Sequence, residues 1–214
     1  MEDILDLHNE PYDPFRPVVN FDETSKQLIE ETRVPLPPQP SQNGKPGRPE
    51  RYDTEYRRAG TCNLFLFCQP LAGWRHIEVT PRRTLVDFAQ QMRWLVDVGF
   101  PDAIVIRVVM DNLNTHRPAA LYQAFPPAEA NRILKKLEFH YTPKHGSWLN
   151  MAEMEFSILS RQCLQRHMGS EKALKSSVLT HEQRRNQQKA EIHWTFTSDQ
   201  ARITLKRLYP AIEP

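Results

Sequence analysis

The stretch AIVIRVVM, residues 103–110, constrains this chain more than any other. A continuous run of β-branched apolar residues marks a strand covered on both faces, which places it inside a sheet with helices on either side. The run stops at Asp111 and gives way at once to Asn112, Asn114 and His116. A buried strand that ends in a carboxylate and a set of amides needs an explanation.

The flanking segments extend the pattern. PVVNFDETSKQLI, residues 17–29, reads as a strand that carries acids, with Asp22 at or near its end and Glu23 beside it. CNLFLFCQPLAGWRHIEVTP gives two apolar runs separated by Pro70–Gly73, the signature of a β-hairpin. TLVDFAQQMRWLVDVGF sets Leu85, Phe88, Ala89, Met92, Leu95 and Val96 at helical spacing, with Thr84 as N-cap and Gly99 as stop. Residues 118–137 read as helical turns broken at Pro126 and Pro127. LEFHYTP then reads as a strand and SWLNMAEMEFSILSRQCLQ as a long helix. The order of strands and helices predicts one mixed α/β domain over residues 18–214.

Two segments fall outside this pattern. Residues 1–17, with prolines at 11, 14 and 17, read as an extended arm in which no core begins. Residues 34–50 hold six prolines and two glycines and predict a long loop inserted between two strands, with Lys45, Arg48, Arg51, Arg57 and Arg58 clustered at its end. No internal repeat is visible.

Charge and cysteine usage narrow the function classes. The net charge is +2, but residues 1–31 carry nine acids against Arg16 and Lys26, while residues 156–214 carry ten bases against five acids. The C-terminal part therefore suits an anionic partner, although a solvated basic surface explains the same imbalance. Cys62, Cys68 and Cys163 are odd in number and show no CxxC spacing, which suggests core packing rather than zinc or disulfides and a reducing, cytoplasmic setting. No apolar run is long enough to span a membrane, and the acidic N-terminus is unlike a secretion signal.

An open α/β sheet gathers its working groups beyond the C-terminal ends of its strands. Asp111, Asp22 and one of Glu153 or Glu155 are thus candidates for a single acidic site. Three carboxylates that close together repel one another unless a cation is present, and hard oxygen ligands suit Mg²⁺. Two such ions support in-line displacement at a phosphodiester. Each residue also has a plainer reading. Asp111–Asn112 is compatible with a strand-end turn, and Asp22–Glu23 with a hairpin turn. His116 and His145 are open to structural or metal-binding roles. On the long helix Leu149, Ala152, Phe156, Leu159 and Cys163 form the apolar stripe, and Glu153 and Glu155 lie about 80° to either side of it, so periodicity does not choose between them.

Four blocks, VVNFDETSKQLI, RPERYDTEYRRAGTCNLFLFCQPLAGWRHIEVTPRRT, VVMDNLNTH and HYTPKHGSWLNMAEMEFSILSRQCL, resemble in this order the catalytic domain of bacterial insertion-sequence transposases of the mariner superfamily. The resemblance covers nearly the whole chain. It implies an RNase H-like fold and a DDE triad binding two Mg²⁺ or Mn²⁺ ions. By that resemblance the triad is Asp22 in FDE, Asp111 in MDN and Glu153 in the Leu-Asn-x-x-Glu pattern that begins at Leu149, so it selects Glu153 over Glu155. Forty-one residues separate Asp111 from Glu153, somewhat more than in eukaryotic relatives. Asn112, Asn114 and His116 are then expected at the rim, either contacting the scissile phosphate or holding Asp111. Lys144, His145, Asn150, Arg48 and Arg51 are further candidates for DNA contact.

The same resemblance implies double-stranded DNA as partner, a homodimer across which the Pro-rich loop reaches, and cleavage followed by strand transfer without a covalent intermediate. It also implies a location in the cytoplasm at the nucleoid. Residues 1–17 look like the remnant of a linker from helix-turn-helix modules that read the transposon ends. The chain by itself is therefore expected to bind DNA with little sequence preference. Two other readings share much of this chemistry or fold: a catalytically silent fragment that binds DNA or dimerises, and an RNase H-type nuclease acting on hybrids.

Overall fold

The computed structural model describes residues 1–41, 46–51 and 54–209. Five strands make one sheet in the order β3-β2-β1-β4-β5: β1 is Val18–Glu31, β2 Tyr56–Gln69, β3 Trp74–Thr80, β4 Ile106–Met110 and β5 Leu137–Tyr141. β2 runs antiparallel to both β1 and β3, whereas β4 is parallel to both β1 and β5. The sheet is mixed, as the sequence predicts.

Both faces are covered. In β2, Phe65 and Phe67 enter a core with Phe21, Val108 and Met110, under helices α2 (Leu85–Trp94), α3 (Ala119–Ala124) and α4 (Pro127–Leu134). The alternate residues Leu64, Leu66 and Cys68 enter a second core with Met151, Leu159, Leu174 and Val178 from α5 (Met151–Leu159) and α6 (Glu171–Gln187). Alternation along one strand thus feeds two layers, which is why that segment is apolar throughout. Thr84 caps α2 in a reciprocal box with Asp87, as its position in the sequence suggests. Helical turns at 118–137 part before Pro127, which opens α4.

Three expectations change. Residues 1–17 are not an extended arm throughout, because Glu2–Asn9 forms helix α1 and buries Ile4, Leu5 and Leu7 against Val109, Leu149 and, from α7 (Ser198–Thr204), Ala201. The three prolines lie beyond that helix, so they end it without forbidding it. Asp22 does not lie at the end of its strand, since β1 runs nine residues further while paired to β2. What ends near Asp22 is the parallel ladder to β4. Finally, the Pro-rich segment is not wholly irregular: Leu36 pairs with Arg51 and Gln39 with Arg48 in two isolated bridges, which make a narrow exposed arm. Lys45 lies outside the described residues.

Candidate active site

The sheet register builds the site. Parallel pairing aligns Val18, Val19 and Asn20 with Arg107, Val108 and Val109 and then stops. Two residues beyond the last pair on each chain segment stand Asp22 and Asp111, so the two carboxylates lie at the same edge, just where β4 ends. β4 leaves the sheet just there, and the gap it opens is the crevice. Asp22 pairs with Leu66, and Glu23 with Phe65. Cross-strand partners share a face, so Asp22 faces α5 while Glu23 faces α2 and α3.

Two asparagines fasten α5 to the same point. Asn150 caps the helix by accepting from the Ala152 amide at 3.1 Å, and its Nδ2 donates to the Phe21 carbonyl at 2.8 Å. Asn20 Oδ1 accepts from the Met151 amide at 3.0 Å. The first turn of α5 is thereby tied to the two residues that precede Asp22, and that turn carries Glu153. A carboxylate there is also favoured by the positive end of the helix dipole. Asn150 is buried with both ends of its amide engaged, so its role is to position the helix, a role the sequence reading did not give it.

Glu153 and Glu155 separate cleanly. Glu155 is buried and paired with Arg75 at 2.7 Å and Arg185 at 2.8 Å, on the flank of α5 turned toward α6. Glu153 is exposed on the other flank. Burial pushes the Asp22 carboxyl up to about 7, and the Glu153, Asp111 and Glu23 carboxylates push the same way, against one hydrogen bond from the Glu23 amide. The three acids are close enough to feel one another.

Behind Asp111 stands a histidine. His116 is fully buried, with Nδ1 2.6 Å from Asp111 Oδ1 and Nε2 2.6 Å from Glu23 Oε2. Burial works against its charged form, but the two carboxylates outweigh that and raise the ring to about 9. Phe21 and Phe88 enclose it, with ring centroids at 5.3 and 4.9 Å. Of the two roles expected for His116, the structure places it behind Asp111, away from the rim. Glu23, read as part of a turn, is the far anchor of this relay. Its signal in the sequence was a second carboxylate next to Asp22.

The remaining candidates spread along the rim. Asn112 and Asn114 are exposed, and Asn114 accepts from Arg117 at 2.8 Å. Lys144 and His145 are exposed in the turn after β5, where the Thr142 amide donates to the Met110 carbonyl beside Asp111. His145 has a φ of 130°, and with Lys144, Trp148 and Leu208 it lines a cavity of about 270 Å³. Arg48 and Arg51 sit on the arm, and the described residues show no contact between them and the three acids.

This donor set fits a hard divalent cation. All three candidate ligands are carboxylates, they come from three elements, and the most buried of them is destabilised as an anion first by burial and further by the other two. Among the described residues no three ligating side chains already converge at metal spacing. Like charges without a cation between them are expected to stand apart. His116 is not free to join, because both ring nitrogens are engaged.

A mixed five-stranded sheet with helices on both faces and an acidic crevice where a parallel strand departs defines an RNase H-like fold. The chain belongs to the DDE superfamily endonucleases, whose family model matches residues 17–175. Among solved structures it is similar to "Crystal structure of the Mos1 Strand Transfer Complex", at 12% identity and a TM-score of 0.52. That match covers 82% of this chain and 52% of the other, so the chain spans about half the length of the protein it resembles. No curated protein matches the chain. Among the described residues no helix is long and apolar enough to cross a membrane.

Proposed function

We propose that this domain cuts and rejoins DNA as the catalytic part of a transposase, with Asp22, Asp111 and Glu153 holding two Mg²⁺ or Mn²⁺ ions. The observation that carries the reading is the β1–β4 register, which brings Asp22 and Asp111 to one edge, with the Asn20 and Asn150 ties that bring the first turn of α5, bearing Glu153, to the same place. A pair of such ions supplies an activated water or 3′-hydroxyl and neutralises charge on the phosphodiester oxygens. The chain itself positions the ligands. Asn150 and Asn20 hold the turn that bears Glu153, and the Glu23–His116 pair holds one oxygen of Asp111, leaving the other to face the crevice.

Double-stranded DNA is the proposed partner, since the similar solved structure is of a strand transfer complex. Asn112, Asn114, Lys144 and His145 on the rim are proposed to meet its backbone, and Arg48 and Arg51 to meet DNA or a second copy of the chain from the arm. A homodimer, an origin in a bacterial insertion sequence and a place in the cytoplasm at the nucleoid complete the reading. A silent binding module is disfavoured, because all three acids and the residues that position them are present together.

The test is a Mn²⁺-dependent nicking assay on supercoiled duplex DNA and on an RNA–DNA hybrid. Nicking of the duplex by the wild-type chain, absent in Asp111→Asn, is expected. Cleavage confined to the RNA of the hybrid would transfer the site to an RNase H-type nuclease, and equal nicking by Asp111→Asn would refute the assignment.

A further inference from the structure

A groove on the far side of α5 has the chemistry of an anion site. α5 continues without a break into a π-helical turn, Ser160–Leu164, and α6 packs beside it. Between them lies a half-open groove of about 260 Å³ lined by Arg166, Ser176, Ser177, Thr180, His181 and Arg184. No carboxylate lines it. Arg184 is held by Gln162 Oε1 at 2.7 Å and not by an acid, and among the described residues Arg166 has no ion-pair partner.

One polar group in this wall is left unsatisfied. His181 is only 5% exposed, and its Nδ1 has no hydrogen-bond partner among the described residues. A buried ring nitrogen without a partner costs free energy. The ring is held toward its neutral form, first by burial and next by Arg184 and Arg185, against the pull of Glu155. With the Ser176 and Ser177 hydroxyls and two guanidinium groups, the wall offers donors on several sides to one tetrahedral oxyanion. The groove is smaller than the roughly 300–1,000 Å³ of pockets that engulf a small molecule, and it is open, which suits one group of a longer chain passing over it.

We infer that this groove seats a backbone phosphate of the DNA on which the proposed active site works. The inference rests on that functional reading. Gln162 follows Glu153 by nine residues along α5 and the turn that continues it, on the opposite side of the helix, so the groove meets the backbone away from the cut and not beside it. It fixes the register of the duplex and reads no bases, as phosphate contacts do.

The experiment is fluorescence anisotropy of a labelled 25-base-pair duplex titrated with the whole chain in EDTA, repeated across NaCl concentrations. Each neutralised phosphate contributes about 0.9 to the slope of log K against log salt, so Arg166→Gln/Arg184→Gln, which gives up the one phosphate in the groove, lowers that slope by about 1. Ser177→Glu, which adds a negative charge to the groove and leaves both arginines in place, weakens binding at least several-fold. Lys135→Gln, at the end of α4 on the opposite face of the sheet, serves as the control and changes little. Unchanged slopes in the double variant, or equal losses in the control, overturn the inference. Binding is read without metal, so a failure of nicking bears on the active site alone. Absence of any DNA binding by the wild-type chain overturns both.

Discussion

Replacing Asn150 with alanine removes the cap of α5 and the bond that ties it to β1 in a single step. Loss of the cap costs about 1 kcal/mol, and loss of the buried bond from Nδ2 to the Phe21 carbonyl about another 1, with more if that carbonyl stays dry. The sum is roughly 2–3 kcal/mol. For a domain of this size each kcal/mol moves the melting temperature by about 2–4 °C, so a fall of roughly 5–10 °C is expected. Asn150→Ser keeps the cap oxygen and loses only the bridge, and should recover about half of that. Nicking should suffer beyond the loss of stability, because a shift of about 1 Å in a positioned group can cost about 100-fold in rate. Urea unfolding followed by circular dichroism, with nicking measured well below the melting temperature, reads both effects. If Asn150→Ala unfolds within about 0.5 kcal/mol of the wild type and nicks at the same rate, the claim that these asparagines set the site is wrong.

Three further outcomes are expected. Glu155→Gln strands the buried Arg75 guanidinium and the half-buried Arg185 beside it and should destabilise the chain by about 3–5 kcal/mol in urea unfolding, an effect on folding and not on metal binding. His116→Phe preserves the packing against Phe21 and Phe88 but releases Asp111, so the Mn²⁺ concentration for half-maximal nicking should rise about 10–100-fold, and an unchanged metal requirement would contradict the relay. His8 is buried under α1, 2.9 Å from the Leu149 carbonyl, and burial holds its pKa below the ordinary value near 6.5. The unfolded chain therefore binds the extra proton first as pH falls below about 6.5, and stability drops on the acid side. In His8→Gln the difference in melting temperature between pH 7.5 and pH 5.5 should shrink.

How much of this was legible follows from which forces are local. The strand Ile106–Met110 within the run 103–110, whose first residues stay outside it with Ile104 exposed, and the hairpin around Pro70–Gly73 were readable because burial on both faces and turn chemistry leave their mark within a few residues. The Thr84 capping box was readable for the same reason. Helix α1 was hidden, since its prolines at 11, 14 and 17 and its acids outweighed the apolar set Ile4, Leu5 and Leu7. The pairing of Glu155 with Arg75 joins residues eighty positions apart, and no periodicity reports it. Periodicity left Glu153 and Glu155 equivalent; the family resemblance selected Glu153, and in the structure Arg75 on β3 and Arg185 on α6 take up Glu155. Asn20 had a faint signal, an amide inside the apolar run VVNF, whose meaning depended on a helix 131 residues away.

The central claim is that Asp22, Asp111 and Glu153 form one metal site. The direct test counts Mn²⁺ bound per chain by electron paramagnetic resonance, in the wild type and in Asp22→Asn, Asp111→Asn and Glu153→Gln, each first shown to be folded. The account predicts two ions bound in the presence of DNA by the wild type, and weakened or lost binding in every variant. Undiminished Mn²⁺ binding in all three would contradict it.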